Sequence, residues 1–278
     1  MTHETKLKKA TVYLLLFLML FFLLFPFYWT LVTSLKTETE LYSTKTTFWP
    51  KELSFISYRR LFTSESVNFV TAMKNSLFVA IVTTIISVTI STMASYAFVR
   101  FRFKGRKLLM CIFLSNNMFP TVLLLIPLYS IMRRLGILYT PYALILAYTT
   151  FTIPFTVWLL NGFIKDIPMS LEEAALVDGC NRRQAFRKIT LPILIPAIMA
   201  TAVYIFMSAW NEYTYAALFT NNASRTVPVT LNSLIGQLGV EWGLLTAGGI
   251  VTILPICIMF FFAQKTLVEG LTNGAVKG

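Results

Sequence analysis

Six long apolar stretches, at residues 12–35, 75–99, 108–132, 142–164, 193–219 and 243–264, leave this chain little freedom in what it becomes. A helix needs roughly 20 apolar residues to cross a bilayer core of about 30 Å. The pattern therefore predicts an all-α integral membrane protein with six transmembrane helices. With 56% hydrophobic and only 13% charged residues, the chain is too apolar for an ordinary soluble domain. The first stretch follows Lys6, Lys8 and Lys9, but it is longer than a signal-peptide core and no small-residue cleavage site follows, so it reads as a retained helix. The implied division is a tail at 1–11, the first helix at 12–35, an extracellular segment at 36–74, a core domain at 75–264 containing a cytoplasmic loop at 165–192, and a tail at 265–278.

Lys and Arg in short loops stay on the cytoplasmic side during insertion. With both termini inside, the inner face collects Lys6, Lys8, Lys9, the tract Arg100, Arg102, Lys104, Arg106 and Lys107, and then Lys165, Arg182, Arg183, Arg187, Lys188, Lys265 and Lys277. Arg133 and Arg134 run against this, and the cations of 36–71 are partly offset by Glu38, Glu40, Glu52 and Glu65. The expected location is a plasma membrane, multi-pass, with both termini cytoplasmic. The net charge of +12 is accounted for by short topology-setting tracts, which form no surface for nucleic acid. Cys111, Cys180 and Cys257 are spaced too widely for a metal site or disulfide framework and read as packing residues; His3, the one histidine, has no assigned role. Pro26, Pro120, Pro127, Pro154, Pro196 and Pro255 fall inside the stretches, either to shape a cavity or because membrane helices tolerate proline. Thr246, Ala247, Gly248 and Gly249 would let a neighbouring helix come close.

A transporter driven by protons or sodium binds its ion with ionisable groups deep in the helices. Lys74 and Glu241 lie at the ends of stretches, and Glu212 stands twenty residues beyond Pro192, about 30 Å along a helix. Glu212 is thus either a polar group in a wet outer mouth or a contact for a passing substrate. No phosphate-cradling glycine loop with its Lys is present, and no nucleophile with a base, so the chain is predicted to be no enzyme, to hold no cofactor or metal itself, and to draw energy from a separate subunit.

The loop 165–192 is the most patterned part of the inner face. Ser170 and Glu173 have the spacing of a capping box, predicting a short helix from Leu171; Gly179 suits a left-handed helix end, and Asn181 with Gln184 a second N-cap. Ala174 and Ala175 would admit another protein's surface while Leu171 and Leu176 supply apolar anchors, though packing on the chain's own bundle explains the same pattern.

Glu173, Ala174 and Ala175, then Gly179, Ile189, Leu191 and Pro192 at their spacings, resemble the EAA loop of binding-protein-dependent ABC importer permeases. The segment 95–105, the step Met118 to Pro120, Trp210 to Tyr213 and the ending 268–278 are similar to the carbohydrate (maltose-type) branch, specifically its smaller, MalG-like membrane subunit. Asn116 and Asn117 depart from it, since relatives often carry a glutamine beside Met118. The resemblance implies a type I ABC importer permease (MetI-like) fold, a heterodimer with a homologous permease, two ATP-binding subunits holding ATP and Mg, and an extracellular sugar-binding protein. It further implies that Leu171, Glu173, Ala174, Ala175, Leu176, Gly179, Ile189, Leu191 and Pro192 couple to the ATPase, and that a loop at 221–242 with Asn221, Asn222 and Arg225 reaches the binding protein. Sugar hydroxyls need polar and aromatic partners, which makes Asn75, Tyr96, Asn116, Asn117, Tyr148, Trp210, Asn211 and Glu212 the candidates for lining the path.

Overall fold

A computed structural model describes residues 6–236 and 239–275, with side chains for 8–264 except Asn117. His3, Lys277 and the side chains of Asn117 and Lys265 lie outside the described residues. The helices are α1 (Lys6–Ser34), α2 (Glu38–Leu41), α3 (Ile56–Thr63), α4 (Phe69–Arg100), α5 (Arg106–Met118), α6 (Leu125–Arg134), α7 (Pro141–Lys165), α8 (Met169–Val177), α9 (Arg182–Ala185), α10 (Leu191–Trp210), α11 (Thr214–Phe219), α12 (Val227–Asn232) and α13 (Trp242–Ala275). A 3-10 turn, Thr121–Leu124, precedes α6, and a π-helical turn, Phe186–Thr190, precedes α10. Strands β1 (Ile235–Gly236) and β2 (Gly239–Val240) pair antiparallel, with Ile235 opposite Val240.

Among the described residues, five helical segments are long and apolar enough to cross a membrane: Lys8–Ser34, Phe69–Arg100, Pro141–Lys165, Arg182–Trp210 and Trp242–Gln264. The stretch 108–132, expected as one helix, is instead a pair of helical pieces bent by 99°. Pro120 has no N–H to continue a helix and drives Phe119 into an extended conformation, φ −79° and ψ 128°. The stretch 193–219 is also broken, ending at Trp210 and resuming at Thr214.

The chain divides into two compact units. One comprises, among the described residues, 6–70, 230–236 and 239–254. None of the apolar window of α1 is buried by the rest of the chain, as suits a helix bathed in lipid. The segment after it, expected only as an extracellular stretch, is tightly tied. Lys36 is buried, its ammonium 4.9 Å from the Trp29 ring centre and donating to the Thr47 carbonyl at 2.6 Å. The Glu40 carboxylate accepts from the Thr47 hydroxyl and the Lys51 N–H, and Arg60 pairs with Glu38 and Glu241. A Cβ at Gly248 would lie 2.4 Å from Leu231 Cδ2 and 3.6 Å from Leu61 and Phe69, whereas one at Gly249 would meet nothing nearer than 4.0 Å. The close approach expected of this small-residue run thus rests on Gly248. Gly248→Leu is expected to overpack the contact by about 1–3 kcal/mol, read as a lower thermal midpoint in detergent; a native midpoint would mean that Leu231 swings aside freely.

The other unit comprises, among the described residues, 71–229 and 255–275. Half of the apolar window of α7 is buried, with Leu144, Tyr148, Val157, Leu160 and Ile164 inaccessible along its length. Lipid is as apolar as leucine, so packing and hydrogen bonds must join the helices here. Fully buried Ser87, Ser91 and Ser95, four residues apart on one face of α4, meet the Thr152 hydroxyl at 2.8 Å, the Ile153 carbonyl at 3.3 Å and the Val157 carbonyl at 3.0 Å on α7. Pro154 inside α7 has no N–H for the carbonyl of Thr150, four residues back; the Asn116 amide of α5 donates to that carbonyl at 3.3 Å. Cys111 and Cys257 are exposed on helices, not packed as expected, and Cys180 is half-buried.

Candidate functional site

The first site is built around α8. Pro168, φ −56° and ψ 131°, occupies the cap position without a side-chain cap, so Ser170 lies inside the helix and the expected capping box with Glu173 does not form. The helix end follows expectation: Gly179 takes φ +86°, and the N–H groups of Gly179 and Cys180 donate to the carbonyls of Leu176 and Ala175 at 3.1 and 3.0 Å. Asn181 caps α9 as expected, and Gln184 completes a capping box with it. Pro192, in the first turn of α10, cannot donate to the Lys188 carbonyl, and the preceding turn widens to π geometry.

What holds α8 is Glu172, a residue given no role from sequence. It is buried, and its carboxylate accepts from Arg100 Nε at 2.7 Å, the Thr190 hydroxyl at 2.6 Å and the Tyr96 hydroxyl at 2.8 Å. The Arg100 guanidinium also donates to the Ile167 carbonyl at 3.0 Å. One carboxylate therefore ties α8 to the end of α4 and the start of α10. Burial alone would raise its pKa; the hydrogen bonds from Thr190, Arg100 and Tyr96 outweigh that and hold it below the ordinary value of 4.5. The Tyr96 ring lies tilted with its centre 4.6 Å from that of Phe186, so it belongs to this anchor and not to the cavity described next.

The anchor leaves α8 with two faces. Glu172 and Ala175 are buried, while Leu171, Glu173, Ala174, Leu176 and Val177 are exposed, the last at 87%. Of the remaining expected coupling residues, Gly179 and Pro192 are exposed and Ile189 and Leu191 half-buried.

The second site is a cavity of about 200 Å³ bordered by Thr121, Tyr148, Phe151, Thr152, Ser208 and Glu212. The Glu212 carboxylate accepts from the Tyr215 and Ala216 N–H groups, at 2.9 and 3.1 Å, and from the buried Tyr148 hydroxyl at 2.7 Å. It thereby caps α11, which explains why the fifth stretch breaks at this point. The Tyr215 hydroxyl donates to the Thr121 carbonyl at 2.6 Å, just beyond the Pro120 bend. Two breaks in apolar stretches thus meet at one cavity, whose few polar groups include the Glu212 carboxylate.

The other candidates are scattered. Trp210 is buried and stacked on Phe206, and the Asn211 amide donates back to the Met207 carbonyl. Asn116 serves the Pro154 break. Asn75 donates to the Ala223 and Arg225 carbonyls, both at 3.0 Å, and so pins the turn 221–226 to α4. Asn221 closes that turn through Ser224, leaving Asn222 exposed and Arg225 half-buried. The stretch expected as a loop at 221–242 holds this turn, α12 and the paired strands β1 and β2.

Residues 87–273 match the family of binding-protein-dependent transport system inner membrane components. The chain is 37% identical to the inner membrane ABC transporter permease protein YcjP of Escherichia coli, over all of this chain and 99% of that protein. It is 34% identical to the trehalose/maltose transport system permease protein MalG of Thermococcus litoralis, over 99% of each. A crystal structure of a bacterial ABC transporter involved in alginate import matches with a TM-score of 0.81, covering 95% of this chain and 98% of that one at 21% identity, a likeness of fold. The fold is that of a type I ABC importer permease. This chain, a multi-pass membrane permease and not an enzyme, belongs to the family of binding-protein-dependent transport system inner membrane components.

Proposed function

We propose that this permease forms half of the path by which an ABC importer takes up a sugar or oligosaccharide, and that α8 is the piece its ATPase moves. The observation that carries the coupling role is the division of α8: its back is fixed by Glu172, while Leu171, Glu173, Ala174, Leu176 and Val177 offer a short-chained, partly apolar ridge. A nine-residue helix anchored at both neighbouring spans transmits a push to them as a rigid body. Sugar cargo is supported by the relatives' names, trehalose/maltose and diacetylchitobiose among them.

The partners are a homologous permease, two ATP-binding subunits that hold ATP and Mg, and an extracellular sugar-binding protein, for which the exposed turn at Asn222 is the contact. The basic tract from Arg100 lies at the end of the unit that carries α8, which supports placing that end, with both termini, in the cytoplasm. ATP and the loaded binding protein each favour one conformation by contacting it better.

The test is copurification of the ATP-binding subunits with Gly179→Asp, whose φ of +86° a side chain adopts only with strain. Loss of the ATPases, with the permease still in the membrane and sugar uptake abolished, is expected. Native amounts of ATPase on that variant would refute the docking role of α8.

A further inference from the structure

The cavity at Glu212 has a chemical bias that narrows the cargo, and this inference rests on the sugar-import reading. Four hydroxyls around it have already directed their protons into the protein: Tyr148 to Glu212 at 2.7 Å, Tyr215 to the Thr121 carbonyl at 2.6 Å, Thr152 to the Tyr148 carbonyl at 2.9 Å, and Ser208 to the Tyr204 carbonyl at 2.8 Å. Those four hydroxyls have no proton left for a ligand, and Thr121 is the other hydroxyl among the lining residues. Glu212 adds a carboxylate, and no Lys, Arg or His stands on the wall. Phe151, with Tyr148 at 6.4 Å and Tyr215 at 5.1 Å between ring centres, supplies an aromatic flank for the C–H face of a sugar ring.

We infer that this cavity is a selectivity site that accepts one neutral, hydroxyl-rich sugar unit at a time and refuses carboxylated sugars. A neutral pyranose brings no charge to this wall and supplies donors to its oxygens. A uronate brings an anion beside the Glu212 carboxylate, where a like charge is repelled and none of the lining residues is a cation. The volume, about 200 Å³, is below the roughly 300–1,000 Å³ of sites that enclose a drug-sized ligand. It fits a single ring of a longer chain, with the charge test applied ring by ring.

The importer, assembled with its partner subunits in nanodiscs, is examined by saturation-transfer NMR with maltose and digalacturonate as probes. The native assembly is expected to give signal for maltose and little for digalacturonate. Glu212→Gln, which keeps the shape and an acceptor oxygen but removes the charge, is expected to raise the ratio of digalacturonate to maltose signal by about tenfold or more. Tyr148→Phe, which keeps the charge, is expected to leave that ratio unchanged. Equal signals for the two probes in the native assembly, no maltose signal, a ratio unmoved by Glu212→Gln, or a ratio raised equally by Tyr148→Phe would each overturn the inference. Sugar uptake by intact cells separates the two readings: uptake with an unmoved ratio removes only the charge selectivity, whereas absence of any sugar uptake removes the transport reading itself.

Discussion

Glu172→Ala abolishes sugar uptake while the chain still reaches the membrane. The change strips Arg100 of its carboxylate partner in a place where its side chain is only 5% exposed, leaving it the Ile167 carbonyl. Breaking a buried pair by removing one partner costs about 3–5 kcal/mol, because the remaining charge stays out of water. It also releases Tyr96 and Thr190 at once, and a nine-residue helix is too short to hold its place unaided. Uptake, ATPase copurification and membrane yield together check it, with Glu173→Ala as the exposed neighbour that should leave yield untouched. Native uptake from Glu172→Ala would mean that the push travels by another route. The sign with pH follows from the depressed pKa: the anchor is complete above about pH 4.5 and is lost as the pH falls through the lower folded value. It is therefore fully engaged at neutral pH, and a pH-dependent release belongs only below about pH 4.5.

Ser91→Leu prevents accumulation of folded permease, whereas Ser91→Ala is nearly silent. The Ser91 hydroxyl makes one long bond, 3.3 Å, to the Ile153 carbonyl, and interhelical hydrogen bonds of this kind average about 0.6 kcal/mol. Its small size matters more. Ser91 is fully buried between Ser87 and Ser95, and a leucine there separates α4 from α7 and breaks all three bonds of the row. Overpacking alone costs about 1–3 kcal/mol before those losses. Thermal midpoints of the two variants in detergent decide the matter; equal midpoints would show that α4 and α7 have room to spare.

The pattern of Glu173, Ala174, Ala175 and Gly179 was legible because it depends on local backbone: a left-handed glycine, a Schellman turn and a capping box at Asn181 are properties of neighbouring residues. Glu172 was not legible for the opposite reason. It stands beside an identical side chain, and which of the two faces inward is decided by Arg100, seventy-two residues away. One signal was available, since Glu172 and Ala175 share a face three residues apart while Arg100 closes an apolar stretch, but Arg100 had an adequate explanation as a topology-setting charge. The capping box at Ser170 failed because Pro168 starts the helix earlier than the serine would. The breaks at Pro120 and Glu212 each carried a local mark, a proline and a charged residue inside an apolar run. Their meeting at one cavity is a property of the packed unit, and no spacing along the chain encodes it.

The serine row between α4 and α7 has an arithmetic of its own. Its members repeat every four residues, close to one helical turn, and both helices run in the same direction, since 87, 91 and 95 meet 152, 153 and 157 in ascending order. Sliding α4 along α7 by four residues, about 6 Å, would bring Ser91 to Thr152 and Ser95 to the Ile153 carbonyl, re-forming two of the three bonds. A slide of half that distance forms none. The seam is thus indexed like a detent: small forces carry both helices as a single rod, and a force large enough to part them finds its next resting place four residues away.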